Sequence, residues 1–233
     1  MYFSLKIICT FYRQRSPSSF NIQPTQILLV RDKEIQAELA DQAMLGAGNA
    51  FRTRDCSALA VFLADLEPSK RLDRLLSLEK GQRHPGYRAI LPLASSFLMG
   101  EGHASTLLKQ ISTSFLSSTV RQMPGIEPVQ AWSYKNAALA AQSYVLSATA
   151  HDLATAIMEG YDPRRCKEIL RIPDRYDIPM MIATGYEYFE EVEPPTPRFT
   201  LEEVVFENTF GSPVTLSEET TSPNVLASER KAS

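Results

Sequence analysis

Eight residues near the start of the chain, Pro17-Ser18-Ser19-Phe20-Asn21-Ile22-Gln23-Pro24, concentrate hydroxyls and carboxamides between prolines, directly before an apolar run from Gln26 to Val30. Neutral donors and acceptors on a short loop that ends at a rigid strand suit a ligand edge that is polar without being strongly charged. A tight turn before a strand accounts for the same residues, because Ser, Asn and Pro are common turn formers. Other chemical signals are poor. Gly46-Ala47-Gly48 and Gly100-Glu101-Gly102 lack a third glycine and do not follow a predicted strand, which argues against a dinucleotide fingerprint. No GxxxxGK[ST] loop or GxSxG elbow occurs, and His84, His103 and His151 are far apart without zinc spacing. His151-Asp152 falls between a helix and a strand and reads as a turn, and Arg164-Arg165 reads as a solvated helix face.

The loop must be positioned by a chain of 233 residues, 44% apolar, which is long enough to bury a real core. Composition predicts three regions: an atypical segment over 1–16, a domain over 17–210, and a disordered Ser/Thr/Glu-rich tail over 211–233. A formal charge of −3 disfavours a large nucleic-acid footprint. Cys9, Cys56 and Cys166 are widely scattered, which suits reduced thiols and a cytoplasmic location. The first sixteen residues are basic and apolar like a targeting peptide but lack a small-residue cleavage site. No run of 18 apolar residues occurs, so no membrane span is expected.

Ile27 to Val30 reads as a strand covered on both faces, and Asp32 caps a helix from Lys33 to Leu45 with Ile35, Leu39 and Ala43 inward. Gly46 to Asn49 then reads as a turn. A second strand spans Leu59 to Ala64, followed by helices over Pro68–Glu79, Tyr87–Gly100 and Ala104–Ser118. The alanine-rich stretch from Gln130 to Thr149 predicts a central, closely packed helix. Strands follow at Leu153–Met158 and Pro179–Thr184, separated by a helix capped by Asp162 with Pro163 in its first turn. Glu187 to Pro197 reads as an extended arm, and Thr200-Leu201-Glu202-Glu203 as a capping box.

Three separated segments together resemble the FMN-dependent nitroreductase family. They are the Pro-Ser-Ser-x-Asn-x-Gln-Pro loop, the alanine-rich helix leading to Met158-Glu159-Gly160-Tyr161-Asp162, and Thr196-Pro197-Arg198-Phe199-Thr200-Leu201-Glu202-Glu203-Val204. The resemblance implies an α+β fold: a central mixed, mainly antiparallel sheet flanked by helices, in a dimeric three-layer sandwich. It implies a homodimer that binds FMN at its interface, takes hydride from NADH or NADPH, and reduces a nitroaromatic, quinone or related conjugated acceptor in a ping-pong course. The flavin carries the chemistry in this class, so no catalytic side chain is expected.

By the same resemblance, Pro17, Ser18, Ser19 and Asn21 approach the flavin from the partner subunit, supported by Gln23. Met158, Glu159 and Gly160 lie along the flavin face, and Arg198 binds the phosphate. Arg52 or Arg54 stands in for a basic residue near the pyrimidine edge. Family members place a basic arm and a helix before the loop, whereas only sixteen residues precede Pro17, with Arg13-Gln14-Arg15-Ser16 adjoining it. That departure supports an alternative expectation, a non-catalytic dimer of the same scaffold that has lost stable FMN binding.

Overall fold

The computed structural model describes residues 16–119, 122–186 and 196–214. The basic Arg13–Arg15 stretch, most of the Glu187–Pro197 arm, Cys9 and the tail beyond residue 214 lie outside the described residues. The sheet begins with β1 (Thr25–Val30), and Asp32 caps α1 (Lys33–Gln42) by accepting from the N–H groups of Glu34 and Ile35. Gly46 to Asn49 does not end the helical region as a turn, because a second helix, α2 (Ala47–Asp55), starts there. Gly46, at φ 79°, provides the left-handed corner between the two helices, which is why the glycines signal a break correctly but not its length. On α1 the inward residues are Gln36, Leu39 and Ala40 together with Ala43 just beyond it, whereas Ile35 faces outward. Gln36 is tolerated inside because its Nε2 donates to the Val30 carbonyl at 3.1 Å.

Four antiparallel strands run in the order β1, β2 (Ala58–Asp65), β6 (Tyr176–Gly185) and β5 (Ala154–Met158). A separate parallel pair joins β3 (Met99–Gly100) to β4 (Glu127–Pro128). β1 is an edge strand with four half-buried residues, rather than one covered on both faces; β2, buried throughout, takes that role. The alternation on β2 separates two cores. Leu59, Val61 and Leu63 pack toward α1 and α7 (Pro163–Leu170), among Leu39, Cys166 and Met181. Ala58, Ala60 and Phe62 pack toward the long helix α6 (Val129–Thr149), against Ala140, Ala141, Tyr144 and Ala148. Alanine against alanine lets α6 approach the sheet closely, as its composition predicts. The Phe62 and Tyr144 rings meet edge to face at 5.8 Å, and the Tyr144 hydroxyl bonds the Thr184 hydroxyl at 2.7 Å. Burying each of Leu59, Val61 and Phe62 contributes about 1.5–3 kcal/mol.

A third cluster closes the end of the sheet where β1 begins. There Ile22, Leu75, Leu91, Met99 and Trp132 bring together the polar loop, α3 (Leu72–Leu78), α4 (Pro85–Leu98), β3 and α6. α4 and α5 (His103–Thr119) turn much of their apolar surface outward. Leu93, Leu107, Leu108, Ile111 and Phe115 are all more than half exposed. Leu107, Leu108, Ile111 and Phe115 thus form an apolar stripe on α5 that one chain leaves unburied. Residues 196–214 belong to a second unit: Thr200 and Glu203 make the capping box of α8 (Leu201–Val204), and the Phe206 and Phe210 rings meet at a tilt with centroids 4.8 Å apart.

At the end of β2 the Asp65 carboxylate is fully buried. It accepts from Arg175 Nε and Nη2, both at 2.7 Å, and from Arg71 Nε at 2.6 Å. Burial alone would raise its pKa, but the two guanidiniums more than reverse that and hold it below the usual carboxylate range. Its contribution to stability is thus complete above about pH 4 and is lost as pH falls through the depressed native value. Asp65→Asn is expected to cost about 2–4 kcal/mol, since it leaves two half-buried cations facing a neutral group. Urea unfolding at pH 7 and pH 3 checks this: the gap between wild type and variant should shrink at the lower pH.

Candidate functional site

The polar loop is a strained turn held from several sides. Phe20, Asn21 and Gln23 all adopt left-handed φ, at 55°, 58° and 54°. Asn tolerates this region, whereas Phe and Gln do so only when the surroundings fix them. Within the loop, Asn21 N donates to Ser18 O at 2.9 Å and Gln23 N to Ser18 Oγ at 2.9 Å. From α6, the Asn136 side chain accepts from Ser19 N at 2.9 Å, while its own Nδ2 donates to Trp132 O and fixes the amide orientation. Ahead of α3, Arg71 Nη1 donates to Gln23 O at 3.0 Å, and Asp65 N donates to Pro24 O at 3.0 Å.

Glu79, at the end of α3, is a buried carboxylate whose Oε1 accepts from Asn21 Nδ2 at 3.2 Å. Its Oε2 is buried and has no hydrogen-bond partner among the described residues. Ile22 and Pro24 are buried while Ser19, Asn21 and Gln23 are exposed, so the fold presents polar side chains on an immobilised backbone. Pro17, Ser18 and Gln23 line a hollow of about 190 Å³ with Asn136 and Ala140. Asn136 and Glu79 escape sequence reasoning because each sits within or beside a helix far along the chain, with no local pattern to mark it.

Met158 ends β5 and is buried, followed by exposed Glu159 and half-buried Gly160. The joint between α1 and α2 holds this segment. Leu45 N and Asn49 Nδ2 both donate to Gly160 O, at 2.9 and 3.2 Å, and Asp162 N donates to Ala43 O at 2.7 Å. A Cβ on Gly160 would lie 2.4 Å from Asn49 Nδ2, so only glycine permits this closeness. One turn along α2 from Asn49, Arg52 is exposed and makes no ion pair among the described residues, whereas Arg54 pairs with Asp41. Of the two arginines, Arg52 is the one available to a ligand.

These two groups do not meet within one chain. β1 and β5 are the opposite edges of the sheet, three strand spacings or about 14 Å apart. The register aligns Met158 through Met181 and Val61 with Leu28, three residues beyond the start of β1. The loop and the Met158–Gly160 segment, the two candidate half-sites, therefore lie apart within one chain. Arg198 belongs to the second unit, where its guanidinium bonds, among the described residues, the nearby carbonyls of Thr196 and Pro197.

Among the described residues no cluster of metal ligands occurs, and the carboxylates beside the two segments are Glu79, bonded to Asn21, and the exposed Glu159. Burial pushes the Cys56 thiol up to about 11 and the Cys166 thiol up to about 12, so neither acts as a nucleophile near neutrality. The Tyr161 phenol, also raised by burial, donates to Ile178 O at 2.8 Å. His151 and Asp152 form the expected turn, Asp152 having φ 55°. Arg164 and Arg165 pair with Glu168 and Asp162 at the surface. Both segments offer fixed polar contacts of the kind that can hold a cofactor.

The model of the nitroreductase family matches residues 101–186. The chain is similar to the NADH dehydrogenase of Thermus thermophilus, 29% identical over 193 residues that cover 82% of this chain and 78% of that protein. In fold it resembles a nitroreductase family protein from Streptococcus pneumoniae, with a TM-score of 0.62, 20% identity and 88% of each chain covered. A protein of Exiguobacterium sibiricum solved in complex with FMN aligns with a TM-score of 0.63 and 19% identity, covering 88% of this chain and 86% of that one.

Gly160→Ala is expected to cost about 1–3 kcal/mol through the clash with Asn49. Adding Asn49→Ala should recover part of that loss. Thermal unfolding of the two single variants and the double variant measures the coupling.

Proposed function

We propose that this chain, a nitroreductase-family protein, is an FMN-dependent oxidoreductase that works as a homodimer. It draws electrons from NADH or NADPH and delivers them to a nitroaromatic, quinone or related conjugated acceptor. The observation that carries this reading is the placement of two polar half-sites at opposite edges of one sheet, each held rigidly and neither sufficient alone. A second copy supplies the missing half. The unburied apolar faces of α4 and α5 provide the surface for that copy, because a stripe containing Leu93, Leu107, Leu108, Ile111 and Phe115 is costly to leave in water.

The donor set fits FMN. Ser18, Ser19, Asn21 and Gln23 offer neutral donors and acceptors to the rim of the ring system, with Pro17 shaping the loop. Met158, Glu159 and Gly160 present backbone from the other half-site, and Arg52 is a free cation beside it. Arg198, bonded only to its own segment, has donors left for a phosphate. Bound FMN supplies hydride transfer between the nucleotide and the acceptor. The chain's own part is orientation: Glu79 and Asn136 fix the loop, Asn49 fixes Gly160, and the strained backbone is set before any ligand arrives.

Asn21→Ala and Arg198→Ala are each expected to lower the flavin retained on purification, read by absorbance and by release on denaturation. Full flavin retention in both would remove these residues from the site. The shared site has a sharper test. An Asn21→Ala chain and a Gly160→Val chain, each depleted alone, should regain about a quarter of the wild-type flavin when refolded together in equal amounts, because random pairing makes about half the dimers mixed and one of the two sites in each mixed dimer is intact. Leu108→Glu combined with Ile111→Glu should yield monomers with little flavin, as measured by light scattering.

A further inference from the structure

Behind the polar loop lies a second cleft, of about 290 Å³, that the proposed cofactor site does not use. Its polar wall consists of Gln23, Lys70, Arg71, Arg74 and Arg175, and its apolar floor of Ile22, Leu75 and Leu78, with Tyr176 at one side. Four cations surround this space in a chain whose formal charge is −3. Two carboxylates answer them: Asp65, held between Arg71 and Arg175, and Glu67, beside Lys70 and Arg175. Two positive charges remain unbalanced, and Arg74 has no ion-pair partner among the described residues.

The two inner guanidiniums are held in place. Arg175 spends Nε and Nη2 on Asp65 and Arg71 spends Nε on Asp65 and Nη1 on Gln23 O, leaving Nη1 of the first and Nη2 of the second without a bond among the described residues. Anchored forks with spare N–H donors bind an anion at less conformational cost than free surface arginines. The Arg175 guanidinium lies 5.5 Å from the centre of the Tyr176 ring, which adds a flat aromatic surface next to the charge. A cavity of this size is at the small end for ligands, and its combination of cations, aromatic ring and aliphatic floor matches a phosphate group attached to a flat or apolar body.

We infer that the cleft between the Gln23 loop and α3 binds a phosphate-bearing ligand of the nucleotide class. Because Arg71 touches both the cleft and the Gln23 carbonyl, occupancy of the cleft also reaches the loop. Apart from Gln23, which borders both, the inference rests on other side chains than the flavin reading does.

Titration calorimetry on the intact protein at low ionic strength tests it, using inorganic pyrophosphate, ADP and adenosine as probes. Pyrophosphate and ADP should bind once per chain and compete with each other, whereas adenosine should bind far more weakly. Arg74→Ala combined with Lys70→Ala, both exposed rim positions, should weaken ADP at least about tenfold with an unchanged circular dichroism spectrum, as the loss of charge-assisted bonds requires. Equal binding of ADP to wild type and double variant, or of adenosine and ADP to the wild type, would overturn the inference. Loss of flavin from the double variant would also overturn it, because the phosphate would then be the cofactor's own. Two sources of the ligand are separated by kinetics. A raised KM for NADPH or NADH at unchanged kcat identifies the reductant, and an unchanged KM alongside weakened ADP identifies a separate nucleotide.

Discussion

The Asp65 carboxylate is the constraint on which this structure turns. It is the last residue of β2, fully buried, and unaffordable there without the guanidiniums of Arg175 and Arg71. Meeting that requirement draws four segments, one of them only six residues away, to one point. Arg175 brings in the approach to β6, Arg71 brings in the turn ahead of α3, and the Asp65 main chain bonds both Pro24 O and the Ser133 hydroxyl of α6. One charge thereby sets where the sheet ends and where the polar loop must lie.

The second constraint is the difference between the two faces of β2. Branched residues on one side and alanines on the other give α6 a close approach, which carries Asn136 to the Ser19 amide. A larger residue in place of Ala60 or Ala140 would move α6 outward and loosen the loop with it. Packing and site geometry are the same problem here, solved by side-chain volume. The left-handed backbone at Phe20 and Gln23 persists because bonds from α6, α3 and the β2 end converge on it.

The site is divided for a topological reason. An antiparallel sheet ordered β1, β2, β6, β5 puts the segments before β1 and after β5 at opposite edges, and no local adjustment can bring them together. The outward faces of α4 and α5 are far more apolar than a helix face intended for water.

Much of this was legible in the residues themselves. The strands, the Asp32 and Asp162 caps, the Thr200 capping box and the close-packed alanine helix all follow from short-range chemistry and periodicity, and the structure contains each of them. The loop announced itself by composition. The pair Gly46 and Gly48 misled, because one glycine makes a corner and the other sits inside α2, and a glycine's freedom does not say which. Ile35 and Gln36 exchanged faces because a single buried bond to Val30 outweighs hydropathy. Glu79, Asn136, Asn49 and the Asp65 pairings were decided only in three dimensions. Each contact spans 58 to 117 residues of sequence, with the Asp65–Arg71 bond the one short-range exception. Local sequence determines what a segment prefers to be; which side chains face each other across the core depends on how the faces of those segments fill space together.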